Sequence, residues 1–132
     1  MILIDSSVLL DLFTVDPFWF EWSSKAVATL ANSTEIAINP QIYAEVSVHF
    51  DSVEELDEAF PEQMFRREPL PFEAGFLAGK AFAAYRRRGG AKTSPLSDFY
   101  IGAHAAISGL SILTRDPRRF RRYFPTVEVI AP

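Results

Sequence analysis

Short apolar runs alternate along the chain with longer stretches in which apolar residues recur every three or four positions. Ile2-Leu3-Ile4 is too short for a helix and suits a buried parallel strand. From Ser6 to Phe13, Val8, Leu9, Leu12 and Phe13 fall at helical spacing. Asp16-Pro17 reads as an N-cap followed by proline at the first helical position. The helix it opens carries Phe18, Trp19, Trp22, Ala26 and Leu30 and ends at Asn32-Ser33. Glu35 to Ile38 is a second strand. Asn39-Pro40 repeats the cap signal and opens a helix over Gln41 to Phe50, and Ser52-Val53-Glu54-Glu55 is a capping box before another short helix.

Phe65 to Phe72 is irregular, with two prolines and room for a short edge strand. Phe72 to Arg88 predicts a long helix that stops at Gly89-Gly90. Within it, Gly75 and Gly79 lie one turn apart, an arrangement that lets another helix approach closely. After a loop from Gly89 to Ser94, Ser94-Pro95 opens a helix to about Ser108. Ser111 to Thr114 is a strand, Asp116-Pro117 caps a short basic helix, and Val127 to Ile130 is a final strand. This alternation predicts one α/β domain over residues 1–132, a sandwich whose mostly parallel sheet is flanked by helices. In such sheets ligands bind beyond the carboxyl ends of the strands. That rule selects Asp5 after the first strand and Thr114-Arg115-Asp116 after the one ending near Leu113.

Charge sharpens the picture. The net charge of −4 divides unevenly. Residues 1–74 hold fourteen Asp and Glu against three Lys and Arg, whereas residues 75–132 hold three against ten. A basic half on an acidic protein suits a nucleic-acid face or an acidic partner. Cysteine is absent, which excludes a disulfide framework, a thiolate metal site and a Cys nucleophile. The uncharged stretch from Phe99 to Leu113 is shorter than the ~20 apolar residues of a membrane span. The start reaches a carboxylate at Asp5 with no basic region before it, so no signal peptide is expected. The expectation is a cytoplasmic protein with no membrane association.

Each acid has a plain structural explanation. Asp5 and Asp116 precede helices and suit caps. Asp98 lies in a first helical turn, where a carboxylate favours the positive end of the dipole. Glu45 lies mid-helix, although Ile42, Tyr43, Val46 and Val48 make that helix apolar on more than one side. The case for function is joint. Carboxylates from distant segments converging on one sheet edge repel one another unless a cation joins them. An oxygen-only cluster with no Cys and no His pair suits Mg²⁺ or Mn²⁺, which can activate water and clamp a phosphodiester.

At these positions the chain resembles the PIN-domain nucleases. Ile2-Leu3-Ile4-Asp5-Ser6-Ser7-Val8-Leu9-Leu10 is similar to the family's opening: a strand, an Asp, a small hydroxyl residue and an apolar helix. Asn39-Pro40-Gln41-Ile42-Tyr43-Ala44-Glu45-Val46 resembles the second motif, and Leu96-Ser97-Asp98-Phe99-Tyr100-Ile101-Gly102-Ala103-His104-Ala105 the third. Ile112-Leu113-Thr114-Arg115-Asp116-Pro117-Arg118-Arg119-Phe120 resembles the fourth. The length and the ending Phe124 to Ile130 are similar to the VapC-type toxins of VapBC toxin–antitoxin pairs.

The resemblance implies a PIN-like three-layer sandwich with an acidic pocket at the carboxyl edge of its sheet. It places catalytic or metal-binding roles on Asp5, Glu45, Asp98 and Asp116, with Ser6 and Thr114 in support. No role is carried to Ser7, which stands where many relatives have Asn. The implied activity is a metal-dependent endoribonuclease toxin that cleaves RNA with Mg²⁺ or Mn²⁺ and is neutralised by a small antitoxin. Two alternatives remain open: a PIN nuclease of RNA processing without an antitoxin, and a non-catalytic metal-binding module. A receiver domain is disfavoured, because Ile4-Asp5 lacks an acidic pair and no Lys follows the last strand. An Asp-x-Asp phosphatase is disfavoured because Asp5-Ser6-Ser7 lacks the second acid.

Among the basic residues, Arg86, Arg115, Arg118 and Arg119 are the candidates for RNA phosphate. His49 lies one turn after Glu45 but has no second His to support ligation. His104 is expected to be packed or capping, and Asp11 to lie at the surface. Phe18, Trp19, Phe20 and Trp22 offer more aromatic surface than one helix stripe hides, so this region is expected to meet an antitoxin or a second copy of the chain in a homodimer.

Overall fold

A computed structural model describes residues 1–90 and 96–132. The elements are β1 (Ile2–Ile4), α1 (Ser6–Thr14), α2 (Phe20–Ala31), β2 (Ile36–Ile38), α3 (Pro40–Ser47) and α4 (Val53–Ala59). They continue with β3 (Phe65–Arg67), α5 (Glu73–Arg87), α6 (Leu96–Ser108), β4 (Ser111–Leu113), α7 (Arg118–Tyr123) and β5 (Val129–Ile130). The expected helix start at Ser94-Pro95, and the loop before it from Ala91, lie outside the described residues.

The five strands form one sheet in the order β3-β2-β1-β4-β5, and every neighbouring pair is parallel. Ile2, Leu3 and Ile4 are all buried, as are Ile36, Ala37 and Ile38. Successive strand residues point to opposite faces. Both faces of the central strands are therefore covered by helices, which is why these strands read as continuous apolar runs. β1 sits in the middle. The chain builds outward on one side through β2 and β3, and on the other through β4 and β5. The crevice between the carboxyl ends of β1 and β4 is the switch point, where ligands of such sheets bind.

The sequence signals act with some changes. Asp16 caps as expected, but its carboxylate holds a turn by accepting from the amides of Phe18 and Trp19 (both 2.8 Å), and α2 proper begins at Phe20. Asn39 caps α3 by accepting from the Ile42 amide at 2.9 Å, and Ser52 caps α4 by accepting from the Glu55 amide at 3.2 Å. α3 stops at Ser47, short of the expected Phe50, because the His49 and Phe50 amides close turns onto Val46 and Ser47. Asp116 does not cap the basic helix. α7 starts after Pro117, and no side chain accepts at its N-cap.

The expected close helix approach at Gly75 and Gly79 is also corrected: a Cβ at either would meet nothing within 4 Å among the described residues. α5 packs on α6 through Ala74, Ala78 and Ala81, all buried, at steps of four and three. The tight approach is at Gly102, where a Cβ would lie 2.3 Å from the Phe124 ring. This leaves room for an aromatic cluster in which Phe82, Tyr85, Tyr123 and Phe124 surround the fully buried Phe99. The rings of the Asp16 turn do not all bury: Phe18 is 81 % exposed. One backbone position is unusual. Val15, at the C-cap of α1, adopts φ 51°, ψ 57°, a left-handed conformation that disfavours β-branched residues.

Candidate active site

Asp5 is the first residue after β1. Its amide donates to the Leu113 carbonyl of β4 at 2.9 Å, which fixes its backbone at the switch point. Its carboxylate is buried and does not cap α1. Instead Oδ2 accepts from Thr114 Oγ1 at 2.7 Å and from Ser7 Oγ at 3.0 Å. Oδ1 is buried with no hydrogen-bond partner among the described residues. The Thr114 hydroxyl, itself buried, also accepts from the Asp116 amide at 3.1 Å. One side chain thereby ties the two strand ends together.

Glu45 reaches the same crevice from α3. Its residue is half-buried, yet Oε1 is buried and without a hydrogen-bond partner among the described residues. Asp98 comes from the first turn of α6, where Oδ2 accepts from Arg119 Nη1 at 3.0 Å. Asp116, after β4, is exposed and pairs with Arg118 Nε at 3.6 Å.

The electrostatics show which carboxylates share the crevice. Burial pushes Asp5 above the ordinary carboxylate range and Asp116 adds to the effect, while the Thr114 and Ser7 hydroxyls pull the other way. Burial also raises Glu45, with Asp5 contributing and the Ser97 and Ser6 hydroxyls opposing. Asp98 is pushed up to about 6 by burial and by the charges of Asp5 and Glu45, against the pull of Arg119. Asp5, Glu45 and Asp98 thus act on one another directly, and Asp116 joins through Asp5.

Buried carboxylate oxygens without partners are costly, and four acids at one edge repel. Hard divalent cations favour such oxygens, so the oxygen-only donor set of Asp5, Glu45, Asp98 and Asp116 fits Mg²⁺ or Mn²⁺, which those residues would hold. As the side chains stand, no group of three or more His, Asp or Glu among the described residues has metal-site spacing. Arg119 and Arg118 offset the charges of Asp98 and Asp116.

Several expectations need revision. Asp11 is not at the surface. It is 1 % exposed, accepts from Ser23 Oγ at 2.7 Å and pairs with Arg115 Nε at 3.1 Å. Arg115, a candidate for RNA phosphate, turns its Nε inward to Asp11 and lies over the Trp19 ring at 5.6 Å. It ties α1 and the Asp16 turn to the loop after β4. Ser7, given no role from the sequence, is a direct partner of Asp5. Ser6 lies toward Glu45. Arg86 is exposed over the Phe82 ring at 5.9 Å. His104 is packed, with Nδ1 accepting from Asn39 Nδ2 at 3.0 Å, and His49 is exposed.

A family profile for the PIN domain matches residues 2–124. The chain belongs to the PIN domain family. Sequence comparison with curated proteins gives no match. Among solved structures, the PIN chain is similar to a chain of VapBC2 from Rickettsia felis bound to a promoter DNA fragment (16 % identity, TM-score 0.75, 100 % of this chain and 99 % of that one). It is also similar to a chain of FitAcB from Neisseria gonorrhoeae (20 %, 0.72, 100 % and 98 %). A third is a chain of VapBC-1 from nontypeable Haemophilus influenzae (15 %, 0.74, 99 % and 98 %). At these identities the likeness is one of fold, and it extends over essentially the whole PIN domain. Among the described residues no helix is long and apolar enough to cross a membrane.

Proposed function

We propose that this PIN domain is a Mg²⁺- or Mn²⁺-dependent endoribonuclease acting as the toxin of a toxin–antitoxin pair, a cytoplasmic protein held inactive by a small antitoxin. The observation that carries the nuclease reading is the pair of buried, unpartnered carboxylate oxygens on Asp5 and Glu45 at the switch point, with Asp98 and Asp116 beside them. Bound there, the cation would supply charge against the phosphate and a water acidic enough to attack phosphorus.

The chain's own residues do the rest. Thr114 and Ser7 hold Asp5 with one oxygen presented to the crevice. Glu45 and Asp98 complete the oxygen set from two further helices. Arg119, which pairs with Asp98 at 3.0 Å, brings a positive charge to the edge of this set, where it would meet phosphate. The toxin reading draws support from the whole-chain likeness to chains of VapBC and FitAcB assemblies. The exposed Phe18 of the Asp16 turn supports an antitoxin or a second copy of the chain as partner.

Purified protein incubated with RNA should cleave in Mg²⁺ or Mn²⁺, fail in EDTA, and leave 5′-phosphate and 3′-hydroxyl ends. Full cleavage in EDTA, or cyclic-phosphate ends, would reject the metal mechanism. Induced expression should arrest growth with the wild type and not with Asp5→Ala. Equal arrest by both would reject the toxin reading at this site.

A further inference from the structure

Beside the carboxylates lies a second cavity that their chemistry does not use. It has a volume of about 250 Å³ and is lined by Tyr85, Asp116, Arg118, Arg119, Arg122 and Tyr123. It opens directly off the acid cluster, because Asp116 belongs to both and Arg119 reaches from it to Asp98. Three guanidinium groups face one carboxylate, so an anion is favoured. Arg118 is largely exposed and only loosely paired at 3.6 Å, and Arg122 makes no ion pair among the described residues.

The walls are aromatic. The Tyr85 and Tyr123 rings lie 6.1 Å apart at 73°, and each packs on the buried Phe99, at 5.6 and 5.3 Å. That packing holds them in place. Guanidinium groups already lie over both rings: Arg119 over Tyr85 at 5.6 Å and Arg88 over Tyr123 at 5.9 Å. Aromatic rings held in place beside exposed arginines suit a nucleotide, whose base can exchange with a guanidinium over a ring while its phosphate is neutralised. The volume falls below the ~300–1,000 Å³ of pockets for drug-sized ligands, so the cavity takes no more than one nucleotide unit. A base paired within a duplex could not reach the ring faces.

We propose that the Tyr85–Tyr123 pocket is a subsite for one unstacked nucleotide of single-stranded RNA, adjacent to the phosphate that is cleaved. Arg118 and Arg122 take its phosphate and the two tyrosines flank its base. Arg119 joins the subsite to the acid cluster, pairing with Asp98 when no nucleic acid is bound. The proposal rests on the ribonuclease reading of the carboxylates, and its test is separate from theirs.

Binding of a short, end-labelled single-stranded RNA is measured by fluorescence anisotropy in EDTA, across a salt series. Arg118→Glu/Arg122→Glu should weaken affinity at least tenfold and flatten the dependence of log affinity on log salt by ~0.7 for each phosphate no longer neutralised. Arg118→Gln/Arg122→Gln should act in the same direction to a smaller degree, which guards against misfolding of the charge-reversed protein. Arg66→Gln, on the distant edge strand β3, should bind as the wild type does. An abasic strand of equal length should bind the wild type more weakly than the RNA.

Unchanged affinity in both double variants would overturn the subsite, even if the wild type cleaves RNA in Mg²⁺. Equal binding of the abasic strand would overturn the role given to the tyrosines. If the arginine variants lose binding but the wild type never cleaves, the subsite stands and the nuclease reading falls.

Discussion

Replacing Asp98 by Asn should make the metal-free protein more stable, and the structure gives the size of the effect. Asp98 lies in the crevice with its side chain 26 % exposed, and its carboxyl is pushed up to about 6 from the ordinary 3.8. A shift of roughly two units at ~1.36 kcal/mol each corresponds to ~3 kcal/mol. Because the folded-state value lies above the unfolded one, the folded protein retains a proton that the unfolded chain has released. Stability is therefore lost as pH rises from about 4 to about 6, and stays lower above that. Asn is close in shape and can still accept from Arg119, but it carries no charge to desolvate or to repel Asp5 and Glu45. Some of the gain offsets the weaker pairing with Arg119, worth ~1 kcal/mol at a partly exposed site. In EDTA at pH 7.5, Asp98→Asn should exceed the wild type by ~1–3 kcal/mol, or roughly 4–10 °C in melting temperature. Near pH 4 the gap should close. Excess Mg²⁺ should narrow or reverse it, since a cation bound only by the folded wild type adds stability. Thermal denaturation of both proteins from pH 4 to 8, with EDTA and with Mg²⁺, measures each effect. An Asn variant less stable than the wild type at pH 7.5 in EDTA would refute the reasoning and make Asp98 a simple helix-start residue.

Two other substitutions test single features. Thr114→Val removes the hydroxyl that donates to Asp5 and accepts from the Asp116 amide; urea denaturation should show a loss of ~1–3 kcal/mol, and Mg²⁺ titration a weaker site. Val15→Gly relieves a left-handed β-branched residue that is 61 % exposed and gives up little packing; it should raise stability by ~1 kcal/mol in the same assay.

The parts of this chain that were legible in its sequence are those specified locally. Ile2-Leu3-Ile4 can only be a short buried strand, and Asn39-Pro40 and Ser52 cap helices by hydrogen bonds within three residues. Asp5, Asp98 and Asp116 were reachable because they follow strand ends or open a helix, positions that topology brings together, whereas Glu45, inside α3, was marked only by the resemblance of its motif. What escaped depends on distant partners. Asp11 looks like an ordinary helix-surface acid until Ser23 and Arg115 are seen around it. Its one signal was its position three residues after Val8, on the stripe that faces the core. Gly75 and Gly79 have helix-packing spacing but meet no neighbour among the described residues, while Gly102 is decided by Phe124, which arrives later in the chain. From sequence alone, the charge of Asp98 favours its helix. Only the shared crevice with Asp5 and Glu45 reverses that sign.

The bond from Thr114 to Asp5 joins residues 109 positions apart, and β1 gains its second neighbour only when β4 pairs with it. During synthesis the ribosome therefore releases Asp5 and Glu45 long before the chain that completes their surroundings exists. A growing chain, or one truncated before β4, has no closed crevice, no Thr114 to orient Asp5 and no Asp116. If this domain cuts RNA, it cannot do so while still being made, and the last strands double as a timer that delays its activity until translation is nearly complete.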